Sequence, residues 1–172
     1  MAVVAHGTGQ VPVTGHQVVL APAGHRATLN HPRTGPVVVV QENQLALWCA
    51  GTEMLTTLTV RIHDTAPAGP SDALAAGPLP GDPPAEEVKW VVSGVGPLLA
   101  YADDYGATPV GDVAVPSGTW RLRAAVAHRV AATALDEQLI AEDEAGYDHR
   151  DPAAAGPVPG PEVWLLDLWP AT

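Results

Sequence analysis

The sequence predicts an all-β protein: an antiparallel, jelly-roll-like β-sandwich of about nine or ten short strands, with at most one short helix. Three observations carry that expectation. Short apolar or alternating runs recur between Gly and Pro punctuation, the pattern of strands joined by turns. Glycine and proline number 17 and 18 in 172 residues, which leaves little room for long helices. No segment repeats itself along the chain, which argues against propellers and solenoids and for two packed sheets.

The elements follow in order. "QVVLA" (17–21) and "VVVVQ" (37–41) are β-branched runs bounded by "PAG" and "TGP". "QLALWCA" (44–50) comes just after "EN", which places a tight hairpin between Val40 and Gln44. "LTTLTVRIH" (55–63) alternates strictly: Leu58, Val60 and Ile62 point one way, and Thr57, Thr59, Arg61 and His63 the other. "EVKWVVSG" (87–94), "PLLAY" (97–101) and "VGDVAV" (110–115) continue the strand pattern. "TWRLRAAVAH" (119–128) alternates again, with Trp120, Leu122, Ala124 and Val126 opposite Arg121 and Arg123. The closing "EVWLLDLW" (162–169) is apolar on both sides, Trp164, Leu166 and Leu168 against Val163, Leu165 and Trp169. That reads as a last strand buried on both faces and ended by Pro170.

Two regions interrupt the strands. Residues 64–86 sit in a stretch with six prolines and three glycines, too dense in missing N–H donors for regular structure, and read as a long loop rather than a linker. The short helix is placed near 131–145, where good helix formers run without proline up to Gly146; "ATALDEQ" within it also fits a continuation of the preceding strand. The whole of 1–172 is expected to form a single sandwich domain.

Composition narrows the function. Nineteen acids against eight basic residues give a net charge of −11, which argues against nucleic-acid partners and anionic membranes. The N-terminus lacks a signal-like pattern and no apolar run approaches the ~18 residues of a membrane span, so the expected location is cytoplasmic. The single Cys49 lies in an apolar run and reads as a small buried hydrophobe.

Catalytic constellations are sparse. Ser71, Ser93 and Ser117 lie outside any G-x-S-x-G context, Asp103–Asp104 reads as a solvated turn, and no phosphate-cradling or H-E-x-x-H motif occurs. Four histidines fall early, His6, His16, His25 and His31, and imidazoles gathered on adjacent strands suit Zn or Fe. "PAGHRATLN" resembles part of the second cupin motif. Here, however, the His directly follows the Gly and no HxH with a following Glu exists, which removes that ligand set. The expectation is therefore no enzyme, no metal and no cofactor.

The distinctive polar feature is an acidic segment over 136–151. Asp136, Glu137, Glu142, Asp143, Glu144, Tyr147 and Asp148 form the candidate partner-binding set, with Tyr147 as an aromatic anchor. "EDEAGYDHRD" lacks the ligand spacing of a calcium loop.

"VPSGTWRLRAAVAHR", a spacer and "EVWLLDLWP", together with "VVVVQENQLALWCAGTEMLTTLTVRIHD" upstream, resemble a group of small, mostly uncharacterised bacterial β-sandwich proteins. Their ends run from a G-x-Y/W-R-L/V-R strand to a strand closing in W-P. The likeness covers about 120 residues and its motifs are structural. More distantly the group resembles the competence-protein J family, which includes an inhibitor of a DNA-entry nuclease; that likeness implies binding a protein rather than chemistry. The loop at 64–86 and the histidine-bearing N-terminal segment depart from the pattern.

The leading expectation is a non-enzymatic protein-binding sandwich, an inhibitor or immunity-type factor docking a basic partner through its acidic surface. One alternative is a structural subunit of a shell- or tube-type assembly, its partner a copy of itself and its N-terminal 35 residues and proline-rich loop 64–86 extended arms that order against neighbours. A second is a metal-dependent jelly-roll enzyme built on His16, His25 and His31.

Overall fold

In the computed structural model, residues 2–25, 37–68, 81–94, 96–102, 105–144 and 156–172 are described. They form ten strands and one helix: β1 Val3–Pro12, β2 Gln17–Pro22, β3 Val38–Gln41, β4 Gln44–Trp48, β5 Met54–His63, β6 Glu86–Val92, β7 Pro97–Ala102, β8 Gly106–Ala114, β9 Gly118–Ala127, α1 Arg129–Glu144 and β10 Val158–Pro170. Two five-stranded sheets pack face to face, in the orders β1-β5-β10-β9-β6 and β3-β4-β2-β7-β8.

The alternations seen in the sequence set the faces. Leu58, Val60 and Ile62 of β5, Trp120, Leu122, Ala124 and Val126 of β9, and Trp164, Leu166 and Leu168 of β10 all enter the core between the sheets. In the absence of Phe, the tryptophans supply bulk there; Trp90 and Trp164 are among the largest fully buried side chains. β10 lies in the middle of the first sheet, so its other side is covered as well: Leu165 and Trp169 are buried. The apolar C-terminal segment is core. Cys49 is buried in the same cluster, and burial pushes its thiol well above the ordinary range, as befits a packing residue.

One pairing departs from an all-antiparallel sandwich. β10 is antiparallel to β9 but parallel to β5, with Trp164 opposite Leu58 and Leu168 opposite Ile62. The excursion through α1 lets the chain re-enter between two existing strands, and a strand there matches the direction of one neighbour only.

The N-terminal segment is not an arm over its described length. β1 pairs along β5, and β2 is buried at every position between β4 and β7. The helix begins at Arg129, two residues before the sequence reading, which also settles that "ATALDEQ" does not extend β9. Gly146 and residues 69–80 of the proline-rich loop lie outside the described residues. The β3–β4 turn at Glu42–Asn43 matches the expected hairpin, with Asn43 in the left-handed region (φ 60°), which asparagine tolerates.

Both seams between the sheets are closed. On one side the Glu86 carboxylate accepts the backbone N–H groups of Val37 and Val38 at 3.0 and 3.1 Å, tying β6 to β3. On the other, β1 and β8 approach backbone to backbone through Gly7 and Gly111, the latter at φ 57°. A Cβ on Gly7 would lie 2.5 Å from the Val110 carbonyl oxygen. Gly7→Ala is therefore expected to cost about 1–3 kcal/mol in urea unfolding, through displaced backbone. Gly156→Ala, where a Cβ meets nothing within 4 Å, should stay within about 0.5 kcal/mol.

Candidate functional site

α1 is an unusual helix for this fold. Its inward stripe is Arg129, Ala132, Leu135, Asp136 and Leu139; of these only Ala132 is a fully buried apolar side chain, Leu135 and Leu139 being half-buried. Amphipathic helices are normally held by apolar burial. Here polar contacts replace it. The Asp82 carboxylate accepts the N–H groups of His128 and Arg129 at 3.0 and 2.8 Å and caps the helix from a residue 46 positions upstream, in a first turn that has no acid of its own. Asp136, 6 % exposed, accepts the Thr52 N–H at 2.7 Å. The Arg129 guanidinium donates to the Trp48 carbonyl and to Glu162 at 3.1 Å.

Glu162 is the hinge of this arrangement. Its buried carboxylate accepts the Ala50 N–H at 3.0 Å with one oxygen and 3.2 Å with the other, while its own carbonyl takes the Thr56 hydroxyl at 2.9 Å. Burial pushes its pKa up to about 7, against the opposing pull of the Ala50 N–H and Arg129.

Held this way, α1 presents Val130, Glu137, Ile140, Glu142 and Glu144 to solvent, with Val130 59 % and Ile140 48 % exposed. The Gln138 amide donates to Glu142 at 2.7 Å along the surface. The predicted partner-binding set thus divides. Glu137, Glu142 and Glu144 share the exposed surface of the helix. Asp136 does not: it is a buried latch to the 50–54 loop, because a carboxylate at that point of the helix meets an unpaired backbone N–H. Asp143 belongs to the helix, with nothing described of its side chain, and Tyr147 and Asp148 lie outside the described residues. Sequence reading missed Val130 and Ile140. Their signal is apolar residues ten apart in a segment whose inward stripe carries an Arg and an Asp.

The other candidates resolve as structure. His16 and His25 sit at opposite ends of β2, roughly 20 Å apart along a six-residue strand, too far to share an ion; His31 lies outside the described residues. Among the described residues no three His, Cys, Asp or Glu side chains gather as a metal ion requires. The Ser93 hydroxyl donates to Asn43 at 2.8 Å, and the Ser117 hydroxyl donates to the Gly94 carbonyl at 2.6 Å, both bracing turns. Ser71, Asp103 and Asp104 lie outside the described residues.

A second charged surface appears on the outer face of the first sheet. Glu87, Arg123, Asp167, Arg61 and His6 stand opposite one another across β6, β9, β10, β5 and β1. Arg61 grips Asp167 with Nε and Nη2 at 2.8 and 2.9 Å, and His63 Nε2 meets the same carboxylate at 2.7 Å. His63 and Asp167 are 3 % and 2 % exposed, so this group braces β5 against β10. Arg123 pairs with Glu87 at 2.9 Å and lies over the Trp169 ring at 5.5 Å.

The architecture of the described residues defines a two-sheet β-sandwich protein with one helix held outside the core by polar latches. No protein-family model matches it, and no curated protein does. A solved structure titled crocagin biosynthetic gene J is similar over 100 % of both chains, with a TM-score of 0.52 and 17 % identity, a likeness of fold. No helix among the described residues is long and apolar enough to cross a membrane.

A pH dependence follows from Glu162. Its folded-state pKa lies above the unfolded value near 4.5, so the folded protein holds the extra proton between those values. Its contribution therefore improves as pH falls from about 8 to 5, by about 3 kcal/mol at most. The difference in unfolding free energy between the wild type and Glu162→Gln, followed by urea titration, should shift in favour of the wild type over that range. A shift the other way would contradict the assignment.

Proposed function

We propose that the chain is a non-catalytic binding protein that docks a basic protein partner through the exposed acidic surface of α1. One observation carries this reading: three polar latches, two of them carboxylates buried at Asp136 and Glu162, immobilise a helix that contributes almost nothing to the core. A helix kept rigid at that cost in desolvation is one whose outward side matters. The exposed surface carries Glu137 and Glu144 beside the apolar Ile140, with Glu142 further round the helix, so that charge borders a small apolar contact.

The sense of the charge supports a basic client. With a net −11, the chain attracts a basic surface from a distance and orients it before contact. The structural roles of Ser93, Ser117 and Cys49 favour binding over catalysis. A fold shared with a protein titled for a biosynthetic gene is compatible with a client that is an enzyme.

The test begins with partners captured from the native lysate at low salt and identified by mass spectrometry. The basic candidate is purified and its association kinetics measured against the wild type and a variant carrying Glu137→Lys, Glu142→Lys and Glu144→Lys. Association at least tenfold slower for the variant, with a flattened salt dependence, is expected. Equal rates and equal salt slopes would refute the docking role of α1.

A further inference from the structure

The outer face of the first sheet holds four basic residues and two acids. Four of the eight basic residues, Arg61, Lys89, Arg121 and Arg123, project from it, although acids outnumber bases by 19 to 8. The two acids of this face are already committed one row away, Asp167 to Arg61 and Glu87 to Arg123. The next row reads Lys89 opposite Arg121 opposite Trp169, with no carboxylate in it.

Lys89 and Arg121 are both exposed and face each other directly across an antiparallel pair, where Cβ atoms stand about 5 Å apart and like charges repel. Neither makes an ion pair or hydrogen bond with the described residues. Thr119, two residues before Arg121 and on the same face, adds a hydroxyl, opposite the exposed Val91. Trp169, with the Arg123 guanidinium over its ring, bounds the patch on the inner side. An ammonium, a guanidinium and a hydroxyl thus stand together with no acid among them, and a bound anion is what relieves their repulsion.

We infer that Lys89, Arg121 and Thr119 form a binding site for a phosphate group, supplied as inorganic phosphate or as a phosphate monoester. The ammonium acts as a point charge, the guanidinium offers a two-pronged donor, and the hydroxyl completes the shell. The site is separate from α1 and does not rest on the docking role proposed for it.

The experiment is an amide-shift NMR titration of the full chain at pH 7.5, with inorganic phosphate in one arm and phosphoserine in the other. Sodium chloride at matched ionic strength serves as the control. Saturable shifts confined to residues 87–92 and 118–123 are expected in at least one phosphate arm, and the arm that saturates at lower concentration names the source. Arg121→Gln should weaken that binding at least tenfold. Lys89→Glu should abolish it while raising the thermal midpoint by about 1–2 °C, because an opposite-charge pair replaces a repulsive one. Shifts equal to those in chloride, binding unchanged in Arg121→Gln, or a lowered midpoint in Lys89→Glu would each overturn the site.

Discussion

Burial of β10 on both faces is the constraint on which the rest of the molecule depends. A strand in the middle of a sheet is largely cut off from water, here over Glu162–Trp169 with only Val163 half-buried, and this one carries two carboxylates into that stretch. Each has to be compensated where it stands. Asp167 draws Arg61 and His63 from the neighbouring β5, which fixes the parallel register of that pair. Glu162 draws the Ala50 N–H from the loop after β4 and Arg129 from the start of α1, so the same strand determines where the helix begins.

The helix then follows as a consequence of polar satisfaction rather than of core formation. Asp82 closes its N-terminus and joins the proline-rich region to it; Asp136 fastens its second turn to the 50–54 loop. Apolar packing could have held α1 with less desolvation, but it would have turned the helix's bulk inward. Polar latches leave Ile140 and the three glutamates outward. Charge is segregated accordingly: acids line the helix, and half of the scarce basic residues lie on the outer face of the first sheet.

Much of this was legible in the residues. The period-two alternation of 55–63 and 119–128 and the apolar run of 162–169 identified the three strands that build the middle of the first sheet, because burial on one face or two is written directly in such patterns. β1 was not legible. Its "AHGTGQ" looks like a polar arm, and its glycines are explained only by the approach of β8. Nor does alternation encode which strand lies beside which, so the parallel β5–β10 pair was invisible. The acidic segment is plain in the composition, but its geometry is not. Glu137, Glu142 and Glu144 face water, whereas Asp136 meets a backbone N–H of a loop 84 residues away in sequence, a partner no local pattern reveals. Asp82 was hidden among prolines for the same reason.

The docking role of α1 requires a rigid element rather than a loosely attached one, and native-state hydrogen exchange reads that directly. In a rigid helix the amides of Thr133 to Ile140 are protected to within about tenfold of those in β5 and β10. Exchange of those amides at rates near the unfolded chain, with the strands still protected, would contradict it.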